Sequence, residues 1–129
     1  MRETYFNGLV VHMSMDAVED ERGALMPIGL EKLDLRPQHA FLVTGRPGAG
    51  RGGHAHRAGR QLFVCLSGEI DVVLAYHGET VHATLCEGAN AMLVSSPVWS
   101  RQNYRGQDPR LLVLSELPYD PGDYVDEPC

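Results

Sequence analysis

The chain has 129 residues, of which 43% are hydrophobic and 22% are charged, and its formal net charge is -6. This length suits one domain with its own core and is too short for two, so we expect a single domain over residues 1–129. The composition excludes a disordered chain, and the acidic balance argues against a nucleic-acid partner. No apolar stretch is long enough for a membrane span or placed as a secretory signal, so we expect a cytoplasmic protein with no membrane partner.

Short extended segments separated by turns follow one another along the chain. Residues 1–24 are expected to form N-terminal strands and a turn, because an acidic cluster from Asp16 to Glu21 leads into Gly23. His39–Val43 is a short apolar run, and the glycine-rich stretch 44–53 predicts a loop, in which the glycines let the backbone pass close to a neighbouring group or form a flexible lip on a cavity. Residues 118–129, rich in proline and acids, predict an irregular C-terminal tail.

Strand signals dominate the second half, and no segment has the sustained 3.6-residue periodicity of a helix. Turns are expected at 76–79, 87–90 and 106–109, and strands at 61–67, 69–75, 80–85, 91–94 and 111–114. Many short strands with turns every eight to twelve residues are typical of an antiparallel sandwich or barrel. We therefore expect an all-β fold with little helix.

Three cysteines, Cys65, Cys86 and Cys129, stand at wide spacings that do not suit a zinc site. Cys65 and Cys86 lie within apolar strand patterns, so we expect them to be buried free thiols. Cys129, at the terminus, indicates nothing.

Two histidines stand within the segment Arg51-Gly-Gly-His-Ala-His-Arg57. Because side chains alternate along a strand and each residue rises about 3.3 Å, His54 and His56 would share one face about 7 Å apart. Two imidazoles on one face can form part of a metal site or can transfer protons, since imidazole titrates near neutral pH. They can also be structural histidines bonded to backbone.

Acidic residues are missing from two long stretches, 35–68 and 88–107. The first stretch contains Arg51 and Arg57 and the second contains Arg101. Pairing of strands from the two stretches would place a positive concavity in an acidic protein, as an anionic small molecule requires. The alternative is that most of these arginines are solvated loop residues.

The spacing His54-x-His56, then Gln61, then Gly68 resembles the first motif of the cupins, which are small jelly rolls of two sheets. The resemblance implies a cupin double-sheet barrel of antiparallel strands. In metal-binding cupins a carboxylate follows the histidine pair and a third histidine comes from a later strand. Gln61 stands at the first place, residues 97–104 contain no histidine, and an amide is a poor ligand for a divalent cation. We therefore expect no metal and no cofactor.

The sequence resembles the cupin sugar 3,4-ketoisomerases, including the WxcM-like proteins, in four segments: 51–57 (RGGHAHR), 61–68 (QLFVCLSG), 97–99 (PVW) and 114–124 (LSELPYDPGDY). The resemblance implies a metal-independent isomerase that converts dTDP-4-keto-6-deoxyglucose, a nucleotide sugar, to its 3-keto isomer through an enediol. It implies that His54 is the base at C3, that His56 moves the proton toward C4, and that Arg51 stabilises the enediolate or holds a phosphate. Substrate binding is assigned to Gln61, Arg57, Trp99 and Arg101, although Trp99 can equally be a core aromatic. A homodimer is expected, because small cupins cover their exposed sheet edges.

Three departures from that family pattern leave the exact sugar, the nucleotide and the C4 configuration open. His39-Ala40-Phe41 replaces an arginine followed by hydroxyl-bearing aromatic residues, Ser95-Ser96 lacks a second proline, and Ser100 stands where some members have histidine. The alternatives are a nucleotide-sugar epimerase, a metal-dependent cupin enzyme and a non-catalytic sugar-binding cupin.

Overall fold

Antiparallel strands build the protein in a computed structural model that describes residues 2–117 and 124–125. In this part of the chain there is no helix, and hence none long and apolar enough to cross a membrane. The strands are β1 Arg2–Tyr5, β2 Val10–Ser14, β3 Val18–Asp20, β4 Gly23–Leu25, β5 His39–Thr44, β6 Gly50–His56, β7 Arg60–Tyr76, β8 Glu79–Cys86, β9 Asn90–Ser95, β10 Trp99–Ser115 and β11 Tyr124–Val125.

Two 17-residue strands, β7 and β10, run through the whole structure and pair with each other from Ala75↔Trp99 to Gln61↔Ser115. The first half of β7 pairs with β9 and its second half with β8, while the first half of β10 pairs with β6 and its second half with β5. Each long strand therefore belongs to two sheets. Because β1, β2 and β9 extend one sheet and β11 extends the other, the predicted double-sheet, all-β jelly roll is confirmed. The described strand pairing is an open path and not a closed barrel.

The strand pairing tests four local predictions made from the sequence. The acidic turn before Gly23 is confirmed, because β3 and β4 form a hairpin on either side of it. The loop expected over 44–53 is shorter, since Gly50 already begins β6. The turn expected at 106–109 is wrong, because these residues remain within β10 as a register shift between Arg105 and Arg110. Of the tail, 118–123 and 126–129 lie outside the described residues, and the remaining two form β11 instead of irregular chain.

The first half of β7 is buried on both of its faces. Phe63 and Cys65 face the core between the two sheets, whereas Leu62 and Val64 face a second cluster covered by residues 26–35. Successive side chains of a strand point to opposite faces, so two covered faces require the continuous apolar run that the sequence shows. This buried half of β7 therefore holds a fixed position beside the neighbouring site.

Arg60 connects the covering segment, residues 26–35, to strands β7 and β10. Its guanidinium makes two hydrogen bonds to the Glu116 carboxylate, of 2.9 and 2.8 Å, and donates to the backbone carbonyls of Leu33 and Asp34. The two side chains are only 27% and 23% exposed. The same contact lowers the pKa of Glu116 below its ordinary value. Arg60 thus joins the start of β7, the end of β10 and the turns at 33–34.

Loss of this contact is expected to destabilise the protein. Glu116→Gln should lower the free energy of unfolding by about 1 kcal/mol and Arg60→Leu by about 2 kcal/mol, since the latter also leaves two carbonyls without their donor. Because the pKa of Glu116 is lowered on folding, its contribution is present above the unfolded pKa and is lost as pH falls through the folded pKa. Urea unfolding at pH 7 and pH 4 measures both effects. Arg22→Leu, which breaks an exposed pair with Asp20, is the control and should change nothing measurable.

Candidate active site

A cavity of about 250 Å³ lies between the two sheets, beside the core. Strands β5, β6, β7 and β10 supply its walls. The lining residues are Phe41, Val43, Arg51, Gly52, His54, His56, Gln61, Phe63, Ser100, Gln102, Tyr104, Leu111 and Val113. No carboxylate is among these lining residues of the described chain, so the cavity suits an uncharged or anionic group.

The histidine pair lies on β6 and faces this cavity, as the strand spacing predicts. The ring centroids of His54 and His56 are 5.6 Å apart, with the ring planes at 80°. Both side chains are half-buried, and Ala55 between them is fully buried on the opposite side. Two imidazoles at this separation can act on neighbouring atoms of one small molecule.

Arg51 brings a positive charge to the same wall. It lines the cavity next to Gly52 although its side chain is also exposed to solvent, and it is not among the arginines that form ion pairs in the described part of the chain. Gly52 has a φ of +84°, and a Cβ there would lie 2.6 Å from Oε1 of Gln102 and 3.0 Å from the backbone oxygen of Ser100. Glycine is therefore required at this position both by the backbone conformation and by the close approach of β10.

Alternate residues of β10 continue the cavity wall beside β6, with which β10 pairs. Ser100, Gln102 and Tyr104 all line the cavity, and Nε2 of Gln102 donates a 3.0 Å hydrogen bond to Oγ of Ser100. None of these three residues was predicted from the sequence to belong to the site. Their i, i+2, i+4 spacing is the signal that could have found them, but it becomes readable only when residues 99–104 are known to be a strand.

The seven residues assigned to the site from sequence fall into two groups. Arg51, His54, His56 and Gln61 come together in the cavity lining. Three residues lie outside that lining: Arg57, Trp99 and Arg101. Arg57 and Arg101 are exposed, Nε of Arg101 donates to Oδ1 of Asn103, and a side chain at Gly53 would contact the Trp99 ring.

Metal ligands do not cluster in the described residues: no three His, Cys, Asp or Glu side chains stand close enough to hold an ion. Cys65 is buried, as expected, and burial raises the pKa of its thiol to about 11. Cys86 is free but only half-buried, and Cys129 lies outside the described residues. Cys65 is therefore a neutral core thiol and not a nucleophile.

A double-sheet jelly roll with a histidine pair and an arginine facing a cavity between its sheets defines a cupin-fold protein with a small-molecule site. The chain belongs to the FdtA family, described as WxcM-like, C-terminal, whose family model matches residues 10–128.

Relatives of known activity agree with this membership. A TDP-4-oxo-6-deoxy-alpha-D-glucose-3,4-oxoisomerase from Aneurinibacillus thermoaerophilus is 30% identical over 108 residues, which are 82% of this chain and 78% of the relative. A double mutant of the 3,4-ketoisomerase QdtA from Thermoanaerobacterium thermosaccharolyticum, solved with TDP, is 25% identical with a TM-score of 0.85 over 96% of this chain and 90% of that chain. The RmlC epimerase of Mycobacterium tuberculosis has a TM-score of 0.86 over 96% of this chain and 71% of that chain, and at 13% identity it shows the shared fold alone.

Proposed function

We propose that this protein is a nucleotide-sugar 3,4-ketoisomerase that converts a TDP-4-keto-6-deoxyhexose to its 3-keto isomer. The observation that carries the proposal is the pair of imidazoles, 5.6 Å apart, beside Arg51 in one cavity of a family member. The oxoisomerase relative, which is named for this reaction, supports it.

The reaction needs two carbon-bound proton transfers at neighbouring atoms. The C4 carbonyl acidifies the hydrogen on C3, and His54 removes that proton to give an enediolate, the anion of the enediol. His56 then delivers a proton to C4 while the hydroxyl proton on the C3 oxygen passes to the C4 oxygen, which leaves the carbonyl at C3 and a hydroxyl at C4. Imidazole suits both roles, because it accepts and donates protons near neutral pH. Arg51 stabilises the negative charge that develops on the enediolate.

The cavity is large enough for only part of a nucleotide sugar. A volume of about 250 Å³ is below the roughly 300–1,000 Å³ of pockets that enclose a whole ligand. The sugar therefore occupies the cavity beside Gln61, and the nucleotide lies outside it. Trp99 and Arg57 remain proposed contacts for that outer part, as a flat apolar surface and a cation for a diphosphate. Arg101 was expected to join them, but it alternates with the lining residues Ser100 and Gln102 and lies on the other face of β10.

Incubation with TDP-4-keto-6-deoxyglucose, followed by proton NMR in heavy water, tests the function. We expect a 3-keto product that carries deuterium at C4. An epimerase would return a 4-keto product with inverted configuration, and a sugar-binding protein would leave the C3 hydrogen in place. Metal analysis of the same active sample tests metal independence, since stoichiometric iron, nickel or manganese would contradict it.

We further propose that the protein acts as a homodimer in the cytoplasm. The β3–β4 hairpin pairs with no other described strand, and Val18 and Leu25 on it are 62% and 68% exposed. A second copy that covers this apolar pair would remove it from water. A monomer in sedimentation equilibrium at micromolar concentration would contradict the dimer.

A further inference from the structure

Tyr104 faces the cavity and has no role in the proton transfers described above. It is almost fully buried, with 1% of its surface exposed, and it lines the cavity together with His54 and Arg51. None of the described residues makes a hydrogen bond to its hydroxyl, and no buried side-chain oxygen or nitrogen among them is left without a partner. The hydroxyl therefore opens onto the cavity.

The glycine-rich segment between β5 and β6 holds this tyrosine in place. The Tyr104 amide donates to the Ala49 carbonyl at 2.8 Å, and its carbonyl accepts from the Gly48 amide at 2.7 Å. The ring lies directly on Gly45, where a Cβ would be 2.4 Å from Cγ of Tyr104. A side chain fixed at both its backbone and its ring presents its hydroxyl at one place, which is the preorganisation that catalytic donors require.

The electrostatic surroundings keep this hydroxyl protonated. Burial raises the pKa of Tyr104, and the positive charge of Arg51 partly opposes that rise. The phenol is therefore a neutral donor at physiological pH that lies within the field of a cation. The neighbouring polar groups are engaged with each other, since Gln102 donates to Ser100, and most of the remaining wall is apolar.

We propose that Oη of Tyr104 donates a hydrogen bond to the sugar oxygen that carries negative charge in the enediolate, which makes Tyr104 a further catalytic residue. This rests on the proposed ketoisomerase function. The donated bond forms no new covalent linkage and leaves the proton on the phenol throughout. Phe41, which also lines the cavity, has no hydroxyl that could donate such a bond.

Tyr104→Phe tests the proposal, because it removes the hydroxyl and keeps the ring that packs on Gly45. We expect kcat to fall about 10²-fold, with deuterium exchange at C3 falling in parallel and KM changing little, since the lost bond strengthens only as charge develops. Tyr76→Phe, on the β7 end away from the cavity, is the matched control and should keep wild-type rates. A Tyr104→Phe enzyme with wild-type kcat would overturn the proposal.

Site-specific meta-fluorotyrosine at position 104 separates a donor from a packing residue. Its phenol is more acidic at nearly the same size, so we expect the alkaline limb of the kcat profile to move to lower pH while the melting temperature stays constant. An unmoved limb would overturn the donor role. Wild-type enzyme that exchanges no C3 hydrogen would overturn the ketoisomerase and, with it, the role of Tyr104, whereas active wild type beside an unaffected Tyr104→Phe would overturn the second alone.

Discussion

The His54→Asn variant is expected to lose about 10³-fold in kcat, because asparagine occupies a similar space but can neither take nor return a proton. Deuterium exchange at C3 should be lost to the same extent, since removal of that hydrogen is the step assigned to His54. Binding of TDP should persist, because the nucleotide lies outside the cavity in the proposed arrangement. Proton NMR of the substrate in heavy water measures exchange and isomerisation in one experiment.

Two further variants test whether the loss is specific to the role proposed for His54. His56→Asn should keep exchange at C3 but slow formation of the 3-keto product, because the proposed role of His56 is delivery at C4. His82→Asn, on the exposed face of β8, is the control and should retain both rates. Equal loss of exchange and product formation in His56→Asn, or normal exchange in His54→Asn, would contradict the division of roles between the two imidazoles.

The sequence alone predicted that the two histidines lie side by side, because this arrangement depends only on neighbouring residues of one strand. A strand alternates every two residues, so His54 and His56 share a face wherever β6 lies in the fold. The Ser100–Tyr104 wall could not be placed in the same way. Which face its side chains occupy depends on the pairing of β10 with β6, a strand more than forty residues earlier in the chain, where the register shifts between Ser100 and Arg101.

The lengths of β7 and β10 were missed for a related reason. Gly68, and the segment Gly106-Gln107-Asp108-Pro109, are strong local turn signals, and a sequence reading ends a strand at each. In the structure Gly68 has a φ of +70° and bends β7 without ending it, because β10 follows the bend on the neighbouring side. Long-range pairing thus overrides the local signal, and the two bends divide one strand path into the two sheets that enclose the cavity.

The cationic cavity was partly predicted. Absence of acids from 35–68 and 88–107 matches a lining without carboxylates, and the two stretches do pair through β6 and β10. The sequence could not show which of the arginines lines the cavity, because that depends on the sheet face to which each side chain points. Arg51 lines the cavity while remaining exposed, Arg101 alternates with the lining residues of β10, and Arg60 is paired with Glu116.

Arg51→Met is expected to reduce kcat/KM by about 10²-fold, because a fixed cation at the wall of a cavity that has no carboxylate in its described lining stabilises a developing anion. The split between constants identifies what Arg51 contacts. A fall confined to kcat places the charge on the enediolate, and a rise confined to KM places it on a phosphate oxygen that is bound equally in both states. Arg51→Lys should recover part of the loss, since the charge remains but the planar two-pronged donor does not.

The same substitution should alter Tyr104. Because the positive charge of Arg51 opposes the rise that burial causes in the pKa of Tyr104, its removal should raise that pKa further. Ultraviolet difference titration of Arg51→Met against wild type, with Tyr104→Phe to identify the signal, measures the shift. Lys32→Met removes one positive charge outside the cavity and should change neither the titration nor the kinetics. Wild-type kcat/KM in Arg51→Met would exclude Arg51 from the reaction, whatever its effect on the phenol.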